Sequence, residues 1–217
     1  MKKEKVIAVI PAYNEEKTVA EIVRKTRKYV DKVIVVDDCS ADRTGKLAKE
    51  AGAEVIRHET NGGLGRSLKT GFEGALKEKA DVVISIDADG QHRPEDIPRF
   101  LKALEGADFV IGKRDISKYP AIKKFGNWGL RGLTNLICGT KIVDTESGYR
   151  AIRAELLKKM HLSAERYEIA VDIVYEAAKN KAKIREISIE SPVYVKGVGT
   201  LDGFKNGWFA IKKRMRG

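Results

Sequence analysis

Five apolar, β-branched runs recur between residues 6 and 111, and a segment of helical periodicity separates each from the next. They cover 6–10, 32–36, 53–56, 81–86 and 108–111. Runs that stay apolar instead of alternating with polar residues suit strands buried on both faces. The intervening segments carry helix signals. Asn14 is placed to cap a helix over 15–29 with Val19, Ile22, Val23 and Thr26 on one stripe. Ser40 or Asp42 precedes a short helix, a glycine-rich turn at 61–65 leads into a helix ending near 78, and Pro94 suits the first turn of another. Strand and helix in alternation predict an α/β fold with a mainly parallel central sheet flanked by helices.

Ligands of such sheets bind beyond the carboxyl ends of the strands, where strand order reverses. With the order 3-2-1-4, the ends of the first, second and fourth strands meet. Those ends carry Pro11 to Glu15, Asp37-Asp38, and Asp87-Ala88-Asp89-Gly90-Gln91. Asp87 and Asp89, at i and i+2, share a face while the chain is extended, and Gly90 permits a turn that lets both carboxylates converge on one hard cation. The other reading of this stretch is a plain Asp-Gly turn.

The chain has 217 residues, and 42 basic against 31 acidic residues give a net charge of +11. That excess points to an anionic partner. Aromatic residues make up 7% and are dispersed, which argues against the basic stripe and stacking platforms of a nucleic-acid binder. No apolar run approaches the roughly 20 residues of a membrane helix, and the N-terminal apolar stretch is too short for a signal peptide. The sequence reads as cytoplasmic, soluble or peripheral on the inner face of a membrane. Cys39 and Cys138 form no zinc or CxxC pattern and read as free thiols. His58 and His161 belong to no constellation and read as surface residues, while His92 reads either as a neighbour of a metal or diphosphate or as a structural histidine.

Beyond Gly112 the character changes. Lys113, Arg114, Lys118, Lys123, Lys124 and Arg131 face a single Asp115, with apolar residues interleaved. A polar turn follows at 144–150, a helix at 168–178, alternating strand-like residues at 184–195 with Pro192 marking a bulge or edge, and a basic amphipathic tail at 204–216. That tail suits either an anionic membrane surface or a helix packed on the domain. With no linker or repeat, the expectation is one catalytic domain over 1–217, with a nucleotide-binding lobe at 1–112 and an acceptor-side lobe at 113–217. The glycine turn at 61–65 lacks the G-x-G-x-x-G spacing of a dinucleotide site, and no P-loop, nucleophile elbow or HExxH occurs.

Five motifs in series carry a resemblance: Pro-Ala-Tyr-Asn-Glu (11–15), Val-Val-Asp-Asp-x-Ser-x-Asp-x-Thr (35–44), Gly-Leu-Gly-x-Ser (63–67), Asp-Ala-Asp-Gly-Gln-His (87–92) and Asp-Thr-x-Ser-Gly-Tyr-Arg (144–150). Together they resemble the family 2 glycosyltransferases, and within them the dolichol-phosphate mannosyltransferases and related polyprenyl-phosphate enzymes. The resemblance implies a GT-A fold and a nucleoside-diphosphate sugar donor of the GDP-mannose or UDP-glucose type. It places Pro11, Ala12, Tyr13, Glu15 and Asp37 at base and ribose, Asp38 near the nucleotide, and Asp87, Asp89 and Gln91 around Mg²⁺ or Mn²⁺. It also sets Arg114 toward phosphate, which a guanidinium binds bidentately, with Arg131 either beside it or on a solvated helix face. Asp144, Ser147 and Gly148 fall in the acceptor-side loop, which Tyr149 and Arg150 anchor.

The implied reaction is an inverting, metal-dependent transfer of a hexose to polyprenyl or dolichyl phosphate. A lipid phosphate is already anionic and needs no general base, whereas a soluble or saccharide hydroxyl acceptor needs a carboxylate within reach. Glu168, with Asp172 at i+4, is the candidate for that role, against a plain solvated helix face. Catalytic weight therefore falls on Asp89, Arg114 and Glu168. The sequence departs from the polyprenyl-phosphate pattern at Lys196-Gly197-Val198-Gly199-Thr200, which ends without the expected lysine, and it carries no C-terminal membrane helices. A metal-dependent nucleotidyltransferase and a nucleic-acid-binding protein are the more distant readings of the same features.

Overall fold

A computed structural model describes residues 3–115, 132, 135–136, 139–190, 208–209 and 212–215. Its elements run β1 (Val6–Ala12), α1 (Val19–Thr26), β2 (Lys32–Asp37), α2 (Thr44–Glu50), β3 (Glu54–Arg57), α3 (Leu64–Lys77), β4 (Val82–Ser85), α4 (Ile97–Leu104), β5 (Phe109–Arg114), β6 (Arg150–Arg153), α5 (Ala154–Leu157), α6 (Ile169–Lys179) and β7 (Ile184–Ile189). Pro94–Asp96 form a short 3₁₀ turn ahead of α4.

The strands make one seven-stranded sheet in the order β3-β2-β1-β4-β6-β5-β7. The pairs β1–β2, β1–β4, β2–β3 and β5–β7 are parallel, and β6 is antiparallel to both β4 and β5. The order predicted for the first four strands is the one observed. The polar turn expected through residue 150 instead ends in β6, whose register sets Arg150 opposite Ser85. β7, the first part of the stretch read as alternating, lies at the sheet edge. Pro192 and the 196–200 stretch fall outside the described residues, as do Arg131 and the basic run from 116.

Two cores sandwich the sheet. Ala8, Ile10, Val33, Val35, Val82 and Ile84 point to α1, α2 and α4, whose Val23, Ala48, Ile97 and Phe100 close one face. Ile7, Val9, Ile34, Val36 and Val83 point to α3, α5 and α6, where Leu68, Phe72, Leu156, Ile173 and Val174 close the other. Burial on both faces explains why these strands read as unbroken apolar runs.

The helix predicted from residue 15 begins only at Val19, and Asn14 does not cap it. Asn14 adopts φ 55°, and its polar groups are used across the crevice. The Asn14 N–H donates to Ser40 Oγ at 3.0 Å, and Asn14 Oδ1 accepts from the Ala41 N–H at 2.8 Å. The Glu15 N–H donates to Thr44 Oγ1 at 2.8 Å. A short polar side chain bonds whichever backbone group lies nearest, and here the β2–α2 loop outcompetes the local helix.

Candidate active site

The ends of β1, β2 and β4 meet where the strand order reverses. Pro11 and Ala12 close β1, Ala12 lies opposite Asp37, and Tyr13 stands half exposed beyond them. Asp37 is fully buried and braced on all sides. Its Oδ1 accepts from the Ser40 N–H at 2.9 Å and its Oδ2 from Arg57 Nη1 at 2.5 Å. The carboxylate thus shapes the loop behind the crevice rather than opening into it.

Asp38 is buried as well, at 3% exposure. Its Oδ1 accepts from the Gly62 N–H at 3.0 Å, its Oδ2 from the Gly63 N–H at 2.7 Å, and His58 Nδ1 lies 2.7 Å from Oδ1. Burial works against the charged form, but the Gly62, His58 and Gly63 hydrogen bonds outweigh it and hold the carboxyl below its ordinary range. Asp38 therefore fastens the glycine turn to the end of β2. Gly63, at φ 85°, occupies backbone space that a side chain rarely tolerates.

His58 corrects its sequence reading. It is buried, not on the surface, and bridges Asp38 to Thr70 Oγ1 at 3.0 Å. Proximity to Asp38 across twenty positions gives no local sequence signal.

Asp87 and Asp89 follow β4 with both side chains partly exposed to the crevice. Asp89 accepts at both oxygens from Gln91, from its N–H at 2.9 Å and from Nε2 at 2.6 Å. Gln91 thus braces the carboxylate it was expected to assist. The Asp87 N–H donates to His92 Nδ1 at 3.3 Å, and that nitrogen lies 3.4 Å from Asp87 Oδ2. Burial pulls the His92 pKa down, with Asp87 and Asp89 opposing. The backbone of Gly148 passes so close that a Cβ there would stand 2.7 Å from both Asp87 oxygens. Ser85 Oγ secures that approach by donating to the Gly148 carbonyl at 2.8 Å.

This donor set fits a divalent cation of the Mg²⁺ or Mn²⁺ kind. Two crevice-facing carboxylates are available, and Gly148 leaves the space beside Asp87 clear. Among the described residues no group of three or more His, Cys, Asp and Glu side chains stands together. Magnesium habitually takes one or two carboxylates and completes its octahedron with substrate phosphates and water.

Arg114, at the end of β5, directs its fork at Asp144. Nε reaches Oδ2 at 2.7 Å, Nη2 reaches Oδ1 at 2.8 Å, and the backbone N–H donates to Oδ2 at 3.1 Å. The bidentate pair ties β5 to the 144–150 segment, and Glu186 Oε1 accepts the N–H groups of Val143 and Asp144 from β7. Beneath Asp87, Arg150 is 1% exposed and donates to the carbonyls of Thr145 and Ala170 at 3.3 and 3.4 Å. Burial lowers its pKa to about 10. Arg150 Nε and Ser147 Oγ have no partner among the described residues. Such orphans cost about 1–3 kcal/mol each, and they gather in the segment that flanks Asp87. Tyr149 is fully buried and donates from its hydroxyl to the Arg93 carbonyl at 3.0 Å. Its ring stacks on Phe100 at 4.2 Å.

Glu168 stands at the N-cap of α6, half buried, with no hydrogen bond or ion pair to its carboxylate among the described residues. Asp172, its expected companion, is fully buried and belongs to a different cluster. It accepts from the N–H groups of Ser163 and Ala164 at 2.7 and 2.9 Å and pairs with Lys213. Glu168 and Asp172 do stand one helical turn apart, the Asp172 N–H donating to the Glu168 carbonyl at 3.0 Å, but their carboxylates serve different surroundings. Residues 169–177 are buried all round, so a charged residue on this helix need not face solvent.

The sequence model of Glycosyl transferase family 2 matches residues 7–160. The chain is 34% identical to the UDP-N-acetylglucosamine–dolichyl-phosphate N-acetylglucosaminyltransferase of Methanococcus voltae, over 91% of each chain. It is also 34% identical to the undecaprenyl-phosphate mannosyltransferase of Micrococcus luteus, over 85% of this chain and 82% of that one. Its fold is similar to that of glucosyl-3-phosphoglycerate synthase from Mycobacterium tuberculosis in complex with Mn²⁺, uridine diphosphate and phosphoglyceric acid. The TM-score is 0.77 at 20% identity, covering 97% of this chain and 78% of that one.

Proposed function

This chain belongs to glycosyl transferase family 2 and has the GT-A fold, and from that premise we propose an inverting, metal-dependent transfer of a hexose from a nucleoside-diphosphate sugar to polyprenyl phosphate. The observation that carries this reading is the pair Asp87 and Asp89 at the end of β4, beside the Gly148 backbone and facing the ends of β1 and β2. In this reading Asp87 and Asp89 hold Mg²⁺ or Mn²⁺, with Gln91 bracing Asp89. Such a cation neutralises charge developing on a departing diphosphate. Half-exposed Tyr13 offers its ring to the base, with Pro11, Ala12 and Glu15 around it, while Asp37 and Asp38 hold the wall behind. Arg114, oriented by Asp144, stands on the phosphate side.

The acceptor class is supported by the two relatives whose names specify dolichyl and undecaprenyl phosphate. It is also supported by the net charge of +11. An acceptor phosphate oxygen attacks the anomeric carbon as the bond from that carbon to the diphosphate breaks, and the nucleoside diphosphate leaves with the bonding pair. No proton need be removed. Among the described residues no helix is long and apolar enough to cross a membrane. A single catalytic domain that is cytoplasmic and touches the inner membrane face peripherally fits this chemistry. A second reading, transfer to a soluble or saccharide hydroxyl, draws on the Glu168 carboxylate, which has no partner among the described residues, as general base.

One experiment tests the proposal. Thermal shifts with GDP-mannose, UDP-glucose and UDP-N-acetylglucosamine are measured with and without Mn²⁺, and product formation is followed on polyprenyl phosphate in liposomes. A bound donor raises the melting temperature by mass action. The proposal expects a Mn²⁺-dependent shift, lipid-linked sugar as product, and no transfer by Asp89→Ala. Full activity in excess EDTA refutes the metal role, and release of sugar 1-phosphate in place of nucleoside diphosphate, with the nucleotidyl group passing to the acceptor, moves the chain to the nucleotidyltransferases.

A further inference from the structure

Among the described residues, the Lys213 ammonium joins the C-terminal helical residues to α6. Lys213 Nζ pairs with Asp172 Oδ1 and lies 2.9 Å from Glu176 Oε1. It also donates to the His161 carbonyl at 2.9 Å. The Asp172 and Glu176 side chains are 0% and 2% exposed, and Lys213 is 14% exposed. Lys213 also lies 5.6 Å from the ring centre of Tyr175, and Phe209, four positions earlier, packs against the core that α3, α5 and α6 close. Two buried carboxylates on adjacent turns cost less with a cation between them.

The same carboxylates hold the segment ahead of α6. Asp172 Oδ2 accepts from the Ser163 and Ala164 N–H groups at 2.7 and 2.9 Å, and Glu176 Oε2 accepts from the His161 N–H at 3.0 Å. That segment abuts the glycine turn. The Arg66 N–H donates to the Glu165 carbonyl at 3.0 Å, and a Cβ at Gly65 would stand 2.6 Å from the Ala164 carbonyl oxygen. The turn in its own right is fastened to Asp38 through Gly62 and Gly63. An unbroken series of contacts therefore runs from Lys213 through Asp172 and residues 163–165 to the start of α3 and the wall of the crevice.

We propose that Lys213 is a positioning residue for the donor site: by neutralising Asp172 and Glu176 it fixes residues 161–165, and through them the glycine turn that Asp38 joins to the crevice. The tail then acts as a clamp on the nucleotide-binding side. This rests on the reading of the crevice as a nucleotide-sugar site.

The test compares wild type, Lys213→Met, the milder Lys213→Gln, and a triple variant adding Asp172→Asn and Glu176→Gln to Lys213→Met. The triple variant keeps the oxygens that accept the 161–164 N–H groups and removes every charge in the cluster. Amide hydrogen exchange is read at Ser163, Ala164 and Arg66, with β1 and β2 amides as internal reference. Affinity for UDP and for GDP is measured with Mn²⁺ by calorimetry, and donor KM and kcat follow where transfer is observed. In Lys213→Met, Arg66 exchange is expected to rise at least tenfold with β1 and β2 unchanged. Nucleotide affinity and donor KM weaken at least fivefold while kcat stays within twofold, and the triple variant restores both. A purely structural ion cluster would instead speed exchange throughout and lower the active fraction without moving donor KM. A folded Lys213→Met or Lys213→Gln with wild-type Arg66 exchange, or with unchanged nucleotide affinity, overturns the proposal. If wild type binds neither nucleotide, the donor-site reading fails, and the exchange data still decide whether Lys213 governs the turn.

Discussion

Replacing Gly148 by Ala perturbs the candidate site by one carbon atom. The added Cβ would stand 2.7 Å from both Asp87 oxygens, and an ordinary carbon–oxygen contact is about 3.4 Å. The carboxylate must therefore retreat by roughly 0.7 Å or rotate away. Its side chain is 36% exposed, so it has room to move. Gly148 does not occupy the left-handed region, so alanine brings no backbone strain. The fold should survive with a melting temperature within a few degrees of wild type. Displacements near 1 Å at a reacting centre cost on the order of 100-fold in rate, or about 2.7 kcal/mol of barrier. Gly148→Ala is thus expected to lose between about tenfold and 100-fold in transfer rate and to need more Mn²⁺ for half-maximal activity. The assay is sugar transfer across a Mn²⁺ titration, with Mn²⁺-dependent thermal shift in parallel. Wild-type rate and wild-type Mn²⁺ midpoint in a folded Gly148→Ala protein would refute the argument that this backbone keeps space clear beside Asp87.

Three further outcomes follow from the geometry. Asp38→Asn should lower stability by about 1–3 kcal/mol through its bonds to Gly62, Gly63 and His58. Because the folded-state pKa of Asp38 is depressed, the deficit is fully present above about pH 4, the ordinary aspartate value, and closes as pH falls through the lower folded value; urea unfolding against pH reads it, and a constant gap refutes it. Arg114→Ala leaves the buried Asp144 carboxylate without its bidentate partner and should cost about 3–5 kcal/mol, most of it recovered in the double variant with Asp144→Asn; no recovery in urea denaturation would mean that the pair is not the source. Glu168→Gln should change transfer to polyprenyl phosphate by less than about threefold, since no base is needed, whereas a loss of about 10²–10⁴-fold would favour a hydroxyl acceptor.

The parts of the fold visible in the sequence are those set by local pattern. Unbroken apolar runs identify β1, β2 and β4, and their order places Asp37, Asp38, Asp87 and Asp89 at neighbouring strand ends before any coordinates are consulted. What escapes is non-local pairing of charge. β6 is four residues long and begins and ends in arginine, so Arg150 looks like part of a polar turn when it is in fact buried. His58, Asp172, Glu176 and Lys213 give the same lesson. None of them carries a local signal of the partner, between 15 and 41 positions away, that it meets in the fold. Asn14 misleads for the opposite reason, since its local capping signal is genuine but a neighbouring loop takes the bonds.

The place of β6 between β4 and β5 governs the order in which this protein can be made. A nascent chain that has emerged only as far as Gly112 carries β1 to β4 and most of β5, yet β5 has no neighbour to join. Its two partners, β6 and β7, are synthesised later, and the open edge of β4 stays exposed to other chains meanwhile. A division at residue 112 is thus a seam in the sequence but not a point at which translation yields a self-sufficient half. Pairing of Arg150 with Ser85 closes the open edge of β4 and, in the same event, carries Gly148 alongside Asp87. The pocket therefore stays unfinished until β6 has been made and paired.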